Sequence, residues 1–363
     1  MSSPATRGER WRLRGTVLPS GEHVELWIAA GVIRTEPVAD AVTLVDGGWI
    51  MPGLVDAHCH VGLAAHGATS ADVAEQHALA DRAAGALLLR DAGSPADTRW
   101  VQHRHDLPRL IRAGRHIARP HRYLRDYAAE VEPADLVAEV ERQVSSGDGW
   151  VKLVGDWIDR DLGDLAPLWP VDTVTAAIER AHELGARVTA HTFGEQAAAE
   201  LVGAGIDGIE HGTGLDAATI ELMAEHQVAL VPTLLQLENF PAFADAGQAK
   251  FPAYATHIRS LYDRRAATFG AAYDAGVPIF AGTDAGGHVP HGLVGREVAK
   301  LAELFGTEYA LGSGSWRARE WLGRPAGLDE GDPADLLVLD ADPRLDVGVL
   351  TRPRHVVLRG LAY

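Results

Sequence analysis

The sequence predicts an α/β protein, a (β/α)8 TIM barrel with a small composite β-sandwich domain that is built from both termini. Within residues 51–327, short apolar segments typical of buried strands alternate with amphipathic segments, and eight such units can be counted from the strand at Trp49. Residues 1–50 and 328–363 instead show short alternating segments separated by turn signals, without a helical period. We therefore expect one barrel domain at 51–327 and one sandwich domain at 1–50 plus 328–363.

The two terminal segments have similar patterns. The first contains alternating, strand-like runs at residues 12–18, 24–29 and 31–34. The second contains apolar runs at residues 334–340 and 355–363, flanked by glycine and proline. Short runs with close turn signals are typical of antiparallel strands. Both ends are therefore expected to close one sandwich around the central domain.

The central segment repeats a strand followed by a helix. After the strand at Trp49, the predicted strands span residues 86–90, 110–113, 150–154, 187–190, 208–210, 228–233 and 278–282. The predicted helix at residues 171–184 has clear limits, because Pro170 precedes it and Gly185 follows it. Similar helices are expected at 195–202 and 216–226. An open doubly wound sheet is the alternative, but the chain lacks the glycine-rich nucleotide motifs that usually accompany one.

Composition and charge restrict the class of protein. The chain has 363 residues, of which 47% are hydrophobic and 23% are charged, so it is long enough and apolar enough to fold. Its net charge of −17 argues against nucleic acid or an anionic membrane as partner and favours a well-hydrated surface. The expected partner is a small-molecule substrate, and the charge weakly favours a neutral or cationic ligand over a polyanionic one. No signal core or long apolar run is seen, so we expect a cytoplasmic location, and a homo-oligomer stays open. The single cysteine, Cys59, excludes an intrachain disulfide and a cysteine-based zinc site.

A pair of histidines follows the first barrel strand. His58 and His60 are separated by one residue, so their side chains project to the same side of the strand end. Neutral imidazole is the commonest protein ligand for zinc and similar ions. Two half-buried histidines without a metal are an equally simple interpretation of this motif alone. The rest of the chain must therefore decide between them.

Other polar residues stand at the ends of later strands. They are Lys152 on the fourth strand, His191 after the fifth, His211 after the sixth and Asp284 after the eighth. Each alone has a simpler structural interpretation, such as a surface lysine or a helix cap. A barrel brings all of them to the same mouth as His58 and His60. Their joint occurrence favours a metal site.

With these motifs, the chain resembles the metal-dependent amidohydrolase superfamily. The resemblance covers nearly the whole chain and includes PGLVDAHCH, GTDAG and the closing ADLLVLDADP. Within it, LLLRDAG and VPTL are similar to segments of the prolidase-like and imidazolonepropionase-like branch. The resemblance implies two divalent metal ions, with zinc as the favoured identity, and a composite β-sandwich. It assigns His58, His60 and Asp284 to one metal, His191 and His211 to the second, and a carboxylated Lys152 to the bridge between them.

Two segments depart from the pattern of the superfamily. They are ARPHRYLRDY at residues 118–127 and GDWIDRD at residues 155–161. Both follow predicted barrel strands, where a substrate would be touched. The substrates of relatives therefore cannot simply be transferred to this chain.

The chemistry of such a site can also be argued from its ligands. Two zinc ions need about four to five ligands each, and five side chains with a bridging hydroxide fall short unless another anion bridges them. A carbamate formed by CO2 on Lys152 supplies that anion. The bridging hydroxide would attack a carbonyl, and Asp284 would pass its proton to the leaving nitrogen. Lys152 and Asp284 are thus the predicted catalytic residues.

We expect hydrolysis of the amide C–N bond in a small N-acyl amino acid or dipeptide-like substrate. A cyclic amide, such as a lactam or imidazolone, is one alternative. Deamination of an aminated heterocycle is another, and it would use Glu195, four residues after His191, as a proton shuttle. Glu195 is better explained as an acid in the first turn of a helix. A silent barrel that serves as a scaffold is the non-enzymatic alternative.

Residues that contact the substrate are harder to identify. His288 and His291 follow Asp284 in a predicted loop over the mouth, where they could bind a carbonyl or carboxylate. Tyr123, in the loop after the third strand, is a further substrate-binding residue in this hypothesis. The aromatic segment 235–256 is long for a loop between strand and helix. A lid over an apolar group is one interpretation, and plain packing of its aromatic residues is an equal alternative.

Overall fold

The computed structural model describes residues 10–363, so residues 1–9 of the predicted sandwich domain lie outside the described residues. Its strands are β1 (Trp11–Val17), β2 (Glu22–Ala29), β3 (Val32–Arg34), β4 (Val42–Pro52), β5 (Leu54–Cys59), β6 (Leu63–Ala64), β7 (Gly67–Ala68), β8 (Ala86–Asp91), β9 (Arg109–Arg112), β10 (Ile117–Ala118), β11 (Ala129–Glu130), β12 (Trp150–Val154), β13 (Asp156–Asp159), β14 (Asp164–Pro167), β15 (Arg187–Thr192), β16 (Gly208–His211), β17 (Ala229–Val231), β18 (Leu336–Leu339), β19 (His355–Leu358) and β20 (Leu361–Ala362). The α-helices are α1 (Ala71–Ala83), α2 (Leu136–Ser146), α3 (Val171–Glu183), α4 (Glu195–Gly203), α5 (Ala217–His226), α6 (Leu234–Leu237), α7 (Phe240–Gly247), α8 (Pro252–Asp274), α9 (Val294–Phe305), α10 (Thr307–Ser313) and α11 (Trp316–Trp321).

One sheet is built from both ends of the chain. Its strand order is β20-β19-β18-β4-β1-β2-β3. The central strand β4 pairs in parallel with β1 and antiparallel with β18, which joins N-terminal and C-terminal strands in one ladder. Alternate side chains of a strand face opposite sides. Ile50 and Val338 therefore pack in a core of the sheet's own, whereas Met51 and Leu339 pack against the rest of the protein.

The expected sandwich is seen as this single curled sheet rather than as two separate facing sheets. The amide of Ile33 in β3 donates to the carbonyl of Asp332 at 2.8 Å, and the amide of Ala334 donates to the carbonyl of Gly31 at 3.0 Å. The outer edge strand thus meets the segment that leads into β18. Because β4 pairs with a strand on each side, the strands of both termini form one continuous sheet. The curl of this sheet encloses its own hydrophobic core.

Parallel strands form the centre of the chain. They lie in a sheet of order β5-β8-β9 and a sheet of order β11-β10-β12-β15-β16-β17. Every residue of β5, β8 and β12 is buried, as expected for parallel strands that are covered by helices. In both sheets the carboxyl ends of the strands point the same way, which brings the residues that follow them to one edge.

Residues 278–285 connect the two parallel sheets. The amide of Leu230 in β17 donates to the carbonyl of Pro278 at 2.8 Å, and the amide of Ala57 in β5 donates to the carbonyl of Ala281 at 2.8 Å. At the other end of each sheet, β9 pairs with β8 and β10 pairs with β12. Strands β9 and β10 follow each other in the chain. These pairings and the covering helices give a TIM-barrel-like α/β fold.

The predicted helices are present with nearly the expected limits. The helix predicted at residues 171–184 is α3, and it ends before Gly185, whose φ of 78° is in the left-handed region that favours glycine. Asp216 caps α5 by accepting a hydrogen bond from the Thr219 amide at 2.8 Å. Glu195 begins α4, which confirms its interpretation as a first-turn acid.

The aromatic segment 235–256 is helical instead of forming an open loop. It contains most of α6, all of α7 and the start of α8. Proline stands in the first turn of both α7 and α8, where its fixed φ favours helix and its missing amide hydrogen costs nothing. Phe240 is fully buried and its ring lies 4.7 Å from that of Phe193. At least this aromatic residue therefore packs in the core.

No helix described within residues 10–363 is a candidate membrane span. None of the helices described there combines the length and the apolar composition needed to span a bilayer.

Candidate metal centre

His58 and His60 direct their Nε2 atoms to a common point. The two Nε2 atoms are 3.1 Å apart. The Nδ1 atom of His58 lies 2.6 Å from a carboxylate oxygen of Glu210, and that of His60 lies 2.6 Å from the carbonyl oxygen of Gly93. Because carboxylate and carbonyl oxygens accept, each Nδ1 carries the proton and each neutral ring keeps its lone pair on Nε2. Second partners of this kind are typical of metal-binding histidines.

Asp284 joins the two histidines. Its Oδ1 atom lies 2.9 Å from His60 Nε2 and 3.1 Å from His58 Nε2. One ligand atom from each of the three residues fits within a group whose members lie within 4.8 Å of one another. Asp284 has a φ of 58°, which is unusual for a residue other than glycine and typical of residues held for function. The backbone is thus bent at the point where the carboxylate enters the group.

Asp56 ties together the turns that carry these ligands. Its carboxylate accepts hydrogen bonds from the His58 amide at 3.2 Å, the Thr283 amide at 3.0 Å and the Thr283 hydroxyl at 2.6 Å. The Asp284 amide in turn donates to the His58 carbonyl at 2.7 Å. Burial raises the pKa of Asp56 to about 7, in spite of these bonds. One buried side chain therefore fixes the spacing between the first and eighth strand ends.

His191 and His211 lie beside this group. Their ring centroids are 4.8 Å apart, and the His211 ring is 5.3 Å from that of His58. His211 has a φ of 67°, and its Nδ1 atom lies 2.7 Å from the Thr233 hydroxyl oxygen. The Nε2 atom of His191 is buried without a hydrogen-bond partner, and its nearest carboxylate oxygen, Oδ1 of Asp156, is 3.7 Å away. The structure thus brings all four histidines together.

Lys152 is an internal lysine on β12. Only 1% of it is exposed. Burial lowers the pKa of Lys152 to about 8, although the charges of Glu210 and Asp284 act in the opposite direction. Lys152 pairs in register with Thr189 of β15, whose hydroxyl donates a hydrogen bond to Glu210. A surface lysine, which was the simpler interpretation of the sequence, is therefore wrong.

Glu210 and Arg90 complete the centre, and neither was identified from the sequence. Glu210 is fully buried and accepts hydrogen bonds from His58, from Arg90 at 2.6 Å and from the Thr189 hydroxyl. Glu210 and His211 are neighbours, and in a regular strand they would face opposite sides. The left-handed backbone at His211 breaks that alternation, so both side chains contact the His58 ring region. An acid directly before a strand-end histidine was the only signal available.

Glu297 supports the Thr233 turn from the other side. Its buried carboxylate accepts hydrogen bonds from the Leu234 amide at 2.7 Å and the Leu235 amide at 2.9 Å. Thr233 has a φ of 49°, and its hydroxyl contacts His211. Burial raises the pKa of Glu297 to about 8. The α9 side chain therefore stabilises the turn that orients His211.

Aromatic residues form one wall of the centre. The Tyr123 ring lies 5.7 Å from the His191 ring and 4.8 Å from the Trp157 ring. His116, a further residue that was not identified from the sequence, stacks on His60 with 4.9 Å between ring centroids. The structure thus places Tyr123 beside the metal-ligand candidates, in keeping with its expected position.

The two histidines that follow Asp284 have different surroundings. His288 is exposed, with its ring 5.4 Å from that of Phe243. The side chain of His291 is only 3% exposed, its Nδ1 atom lies 2.8 Å from a carboxylate oxygen of Asp81, and its ring stacks on that of His77 at 4.2 Å. His291 is therefore bound to α1, because a buried imidazole needs a polar partner and Asp81 supplies it.

The family of the chain follows from its sequence. The family model for the amidohydrolase family matches residues 49–361. The chain belongs to the amidohydrolase family. All of the residues of the metal centre lie inside the matched range. The solved structures that resemble this amidohydrolase include prolidases.

Individual relatives of this amidohydrolase differ in how much is known of them. An uncharacterized protein of Mycobacterium tuberculosis is 56% identical over 362 residues, which are 99% of this chain and 97% of that protein. The ochratoxinase of Aspergillus niger is 27% identical over 235 residues, 61% of this chain and 48% of that enzyme. The crystal structure of a prolidase complexed with N-methylphosphonate-L-proline aligns with a TM-score of 0.81 at 25% identity, over 98% of this chain and 99% of that one.

Replacement of Glu210 by glutamine should weaken zinc binding by this amidohydrolase about 10- to 100-fold, because the partner that fixes the His58 ring loses its charge. Zinc affinity can be measured by competition with a chromogenic chelator. Thr189→Val is the matched control, since it removes one hydrogen bond to Glu210 and keeps the carboxylate. Unchanged affinity in a folded Glu210→Gln protein would show that Glu210 does not support the metal.

Proposed function

We propose that this chain is a binuclear metal-dependent hydrolase that cleaves the amide C–N bond of a small N-acyl amino acid or dipeptide-like substrate. The observation that carries the proposal is the convergence of His58, His60 and Asp284, whose ligand atoms lie within 4.8 Å of one another. Membership of the amidohydrolase family supports a hydrolytic reaction. The parts of the proposal that follow rest on the residues around this group.

The donor set fits divalent metal ions. With both Nδ1 protons committed to oxygen acceptors, the lone pairs of His58 and His60 face each other across 3.1 Å, an arrangement that a cation between them would stabilise. His58, His60 and Asp284 would hold one ion. His191 and His211 would hold a second, and a carboxylated Lys152 would bridge the two. Nitrogen and oxygen donors of this kind favour zinc or a similar ion.

When bound, the two ions would supply Lewis acidity that polarises the scissile carbonyl and increases the acidity of water. Lys152 contributes through its own chemistry. With its pKa lowered to about 8, a fraction of the amine is neutral at pH 7, and a neutral amine can attack CO2 and lose a proton to form a carbamate. This change converts a buried cation into an anion. The charge of the residue then suits a site for divalent cations.

Asp284 is suited to move the proton. Burial alone would raise its pKa, but positive charge beside the carboxylate, carried by a protonated His58 ring in the metal-free protein and by a cation when one is bound, holds the pKa well below its ordinary value. The carboxylate is therefore ionised at neutral pH and can accept a proton from the attacking water. It can then donate that proton to the leaving nitrogen, so one group acts as general base and general acid. The products are an amine and a carboxylic acid.

The surroundings support a small substrate with an apolar part. Tyr123 and Trp157 provide aromatic surface next to His191. The names of the relatives point the same way, since one is a prolidase bound to a proline derivative and another is an ochratoxinase. A cyclic amide would use the same ligands and remains the second candidate.

The deaminase alternative has less support in the structure. Glu195 accepts hydrogen bonds from His257 at 2.9 Å and from Arg264, so its carboxylate is engaged on α8. Lys152 would also have no role in that reaction. A silent scaffold is disfavoured because none of the six expected ligand residues has been lost.

We also infer that the fold closes around this site. The bonds of residues 278–285 to both β17 and β5 support an eight-stranded barrel at residues 51–327. The shared sheet supports a composite domain from residues 10–50 and 328–363. Within such a barrel, the strand ends that carry the ligands form one mouth.

A hydrolysis screen tests the proposed function. The zinc-loaded enzyme should release amine from Xaa-Pro dipeptides or N-acyl amino acids, and cyclic amides should react more slowly. Products are measured by a ninhydrin-type amine assay and mass spectrometry, with the metal-free protein as control. Ammonia release from aminated heterocycles, with both amide panels inert, would replace the hydrolase by a deaminase.

A further inference from the structure

A cavity of about 570 Å³ lies beside the proposed metal centre. Tyr123 lines it together with Arg115, His121, Arg125 and Arg160. The ring of Tyr123 is also 5.7 Å from that of His191. One side chain is therefore shared between the cavity wall and the metal-ligand candidates. Tyr123 therefore lies between the cavity and the ring of His191.

The cavity is built from the two segments that distinguish this chain from the pattern of the superfamily. His121, Tyr123 and Arg125 belong to residues 118–127, and Arg160 belongs to residues 155–161. The two segments are bonded to each other, because Arg122 donates to a carboxylate oxygen of Asp159 at 2.9 Å. The two segments that line the cavity are thus held together by an ion pair.

The lining of the cavity carries more positive than negative side chains, although the chain as a whole is acidic. Three guanidinium groups face two carboxylates, those of Asp126 and Glu130, in a protein with a net charge of −17. Among residues 10–363, no carboxylate forms a salt bridge with Arg125 or Arg160. Arg119 of the same loop, by contrast, is paired with Glu132 at 3.5 Å. Arg125 and Arg160 therefore keep all of their donors for a ligand.

We propose that Arg125 and Arg160 bind the carboxylate of the substrate, with Tyr123 as the wall between that carboxylate and the scissile amide. This inference rests on the proposed function and makes it narrower, because the substrate must be an anion such as a free N-acyl amino acid. A guanidinium recognises a carboxylate through two parallel hydrogen bonds, and a neutral carboxamide cannot form the same charged pair. The two arginines determine specificity and take no part in bond cleavage.

Matched ligands test the inference by equilibrium binding. N-acetyl-L-phenylalanine and its carboxamide differ only in the charged group, and calorimetry on the full chain, with and without zinc, gives both affinities. We expect the acid to bind about tenfold more tightly than the carboxamide, which is a modest gain because the arginines are exposed. In Arg125→Gln/Arg160→Gln that preference should fall to about threefold or less. Arg119→Gln is the control and should keep it.

The outcomes separate this inference from the proposed function. The protein could prefer the acid through Arg125 and Arg160 and yet hydrolyse neither compound. This result would support the carboxylate site and contradict the proposed amide hydrolysis. Hydrolysis of both compounds with equal KM, unchanged in the double variant, overturns the carboxylate site and leaves the amidase. Failure to bind either compound overturns the site as well. Melting temperatures verify that both variants are folded.

Discussion

Asp284→Asn should lower kcat by on the order of a thousandfold or more, because the amide can neither take the proton of water nor serve as an anionic ligand. The Oδ1 atom of Asp284 lies within 3.1 Å of the Nε2 atoms of both His58 and His60, so the substitution alters the carboxylate that joins the two histidines. Steady-state kinetics with an N-acyl amino acid, together with metal content by mass spectrometry, measures both roles. A normal metal content with lost turnover would isolate the proton transfer.

Asp216→Asn is the control for this variant. Asp216 follows the proposed ligand His211 by five residues, but its carboxylate accepts a hydrogen bond from the Thr219 amide as the cap of α5, and asparagine caps a helix about as well as aspartate. This protein should retain its kcat. If Asp284→Asn kept more than about a tenth of the wild-type kcat, general acid and base catalysis by Asp284 would have to be abandoned.

Lys152→Ala should lose one or both metal ions and nearly all activity, since the carbamate is the bridge that the protein itself supplies between the two proposed ion sites. Mass spectrometry of the intact wild-type protein should show the added mass of one CO2, which the variant lacks. Short-chain carboxylic acids should restore part of the activity by occupying the vacated position. A Lys152→Ala protein with both metals and full activity would disprove the bridge.

Much of the candidate centre could be predicted because its geometry follows from strand periodicity. His58 and His60 are two residues apart on a strand, and residues at the carboxyl ends of parallel strands must share one edge. His191, His211 and Asp284 were identified by the same rule. The alternation of strands and helices likewise predicted the α/β fold. These features depend on local pattern, which a sequence displays directly.

The remaining features depend on distant partners. Glu210 and His211 are neighbours on β16, yet both lie beside His58, and no residue type announces the left-handed backbone found at His211. His291 is held by Asp81, which lies 210 positions away in the chain. The single terminal sheet forms because β4 pairs with both β1 and β18. Alternating runs in a sequence indicate where strands lie, but they do not indicate which strands pair with each other.

The shared terminal sheet has a consequence for biosynthesis. Only Gly53 separates β4 from β5, the strand that leads to His58 and His60. One neighbour of β4 is β18, which is synthesised long after β4. Until then β4 has an open edge, and open strand edges pair readily with other chains. A nascent chain released before residue 336 would therefore tend to aggregate instead of yielding a shorter working enzyme.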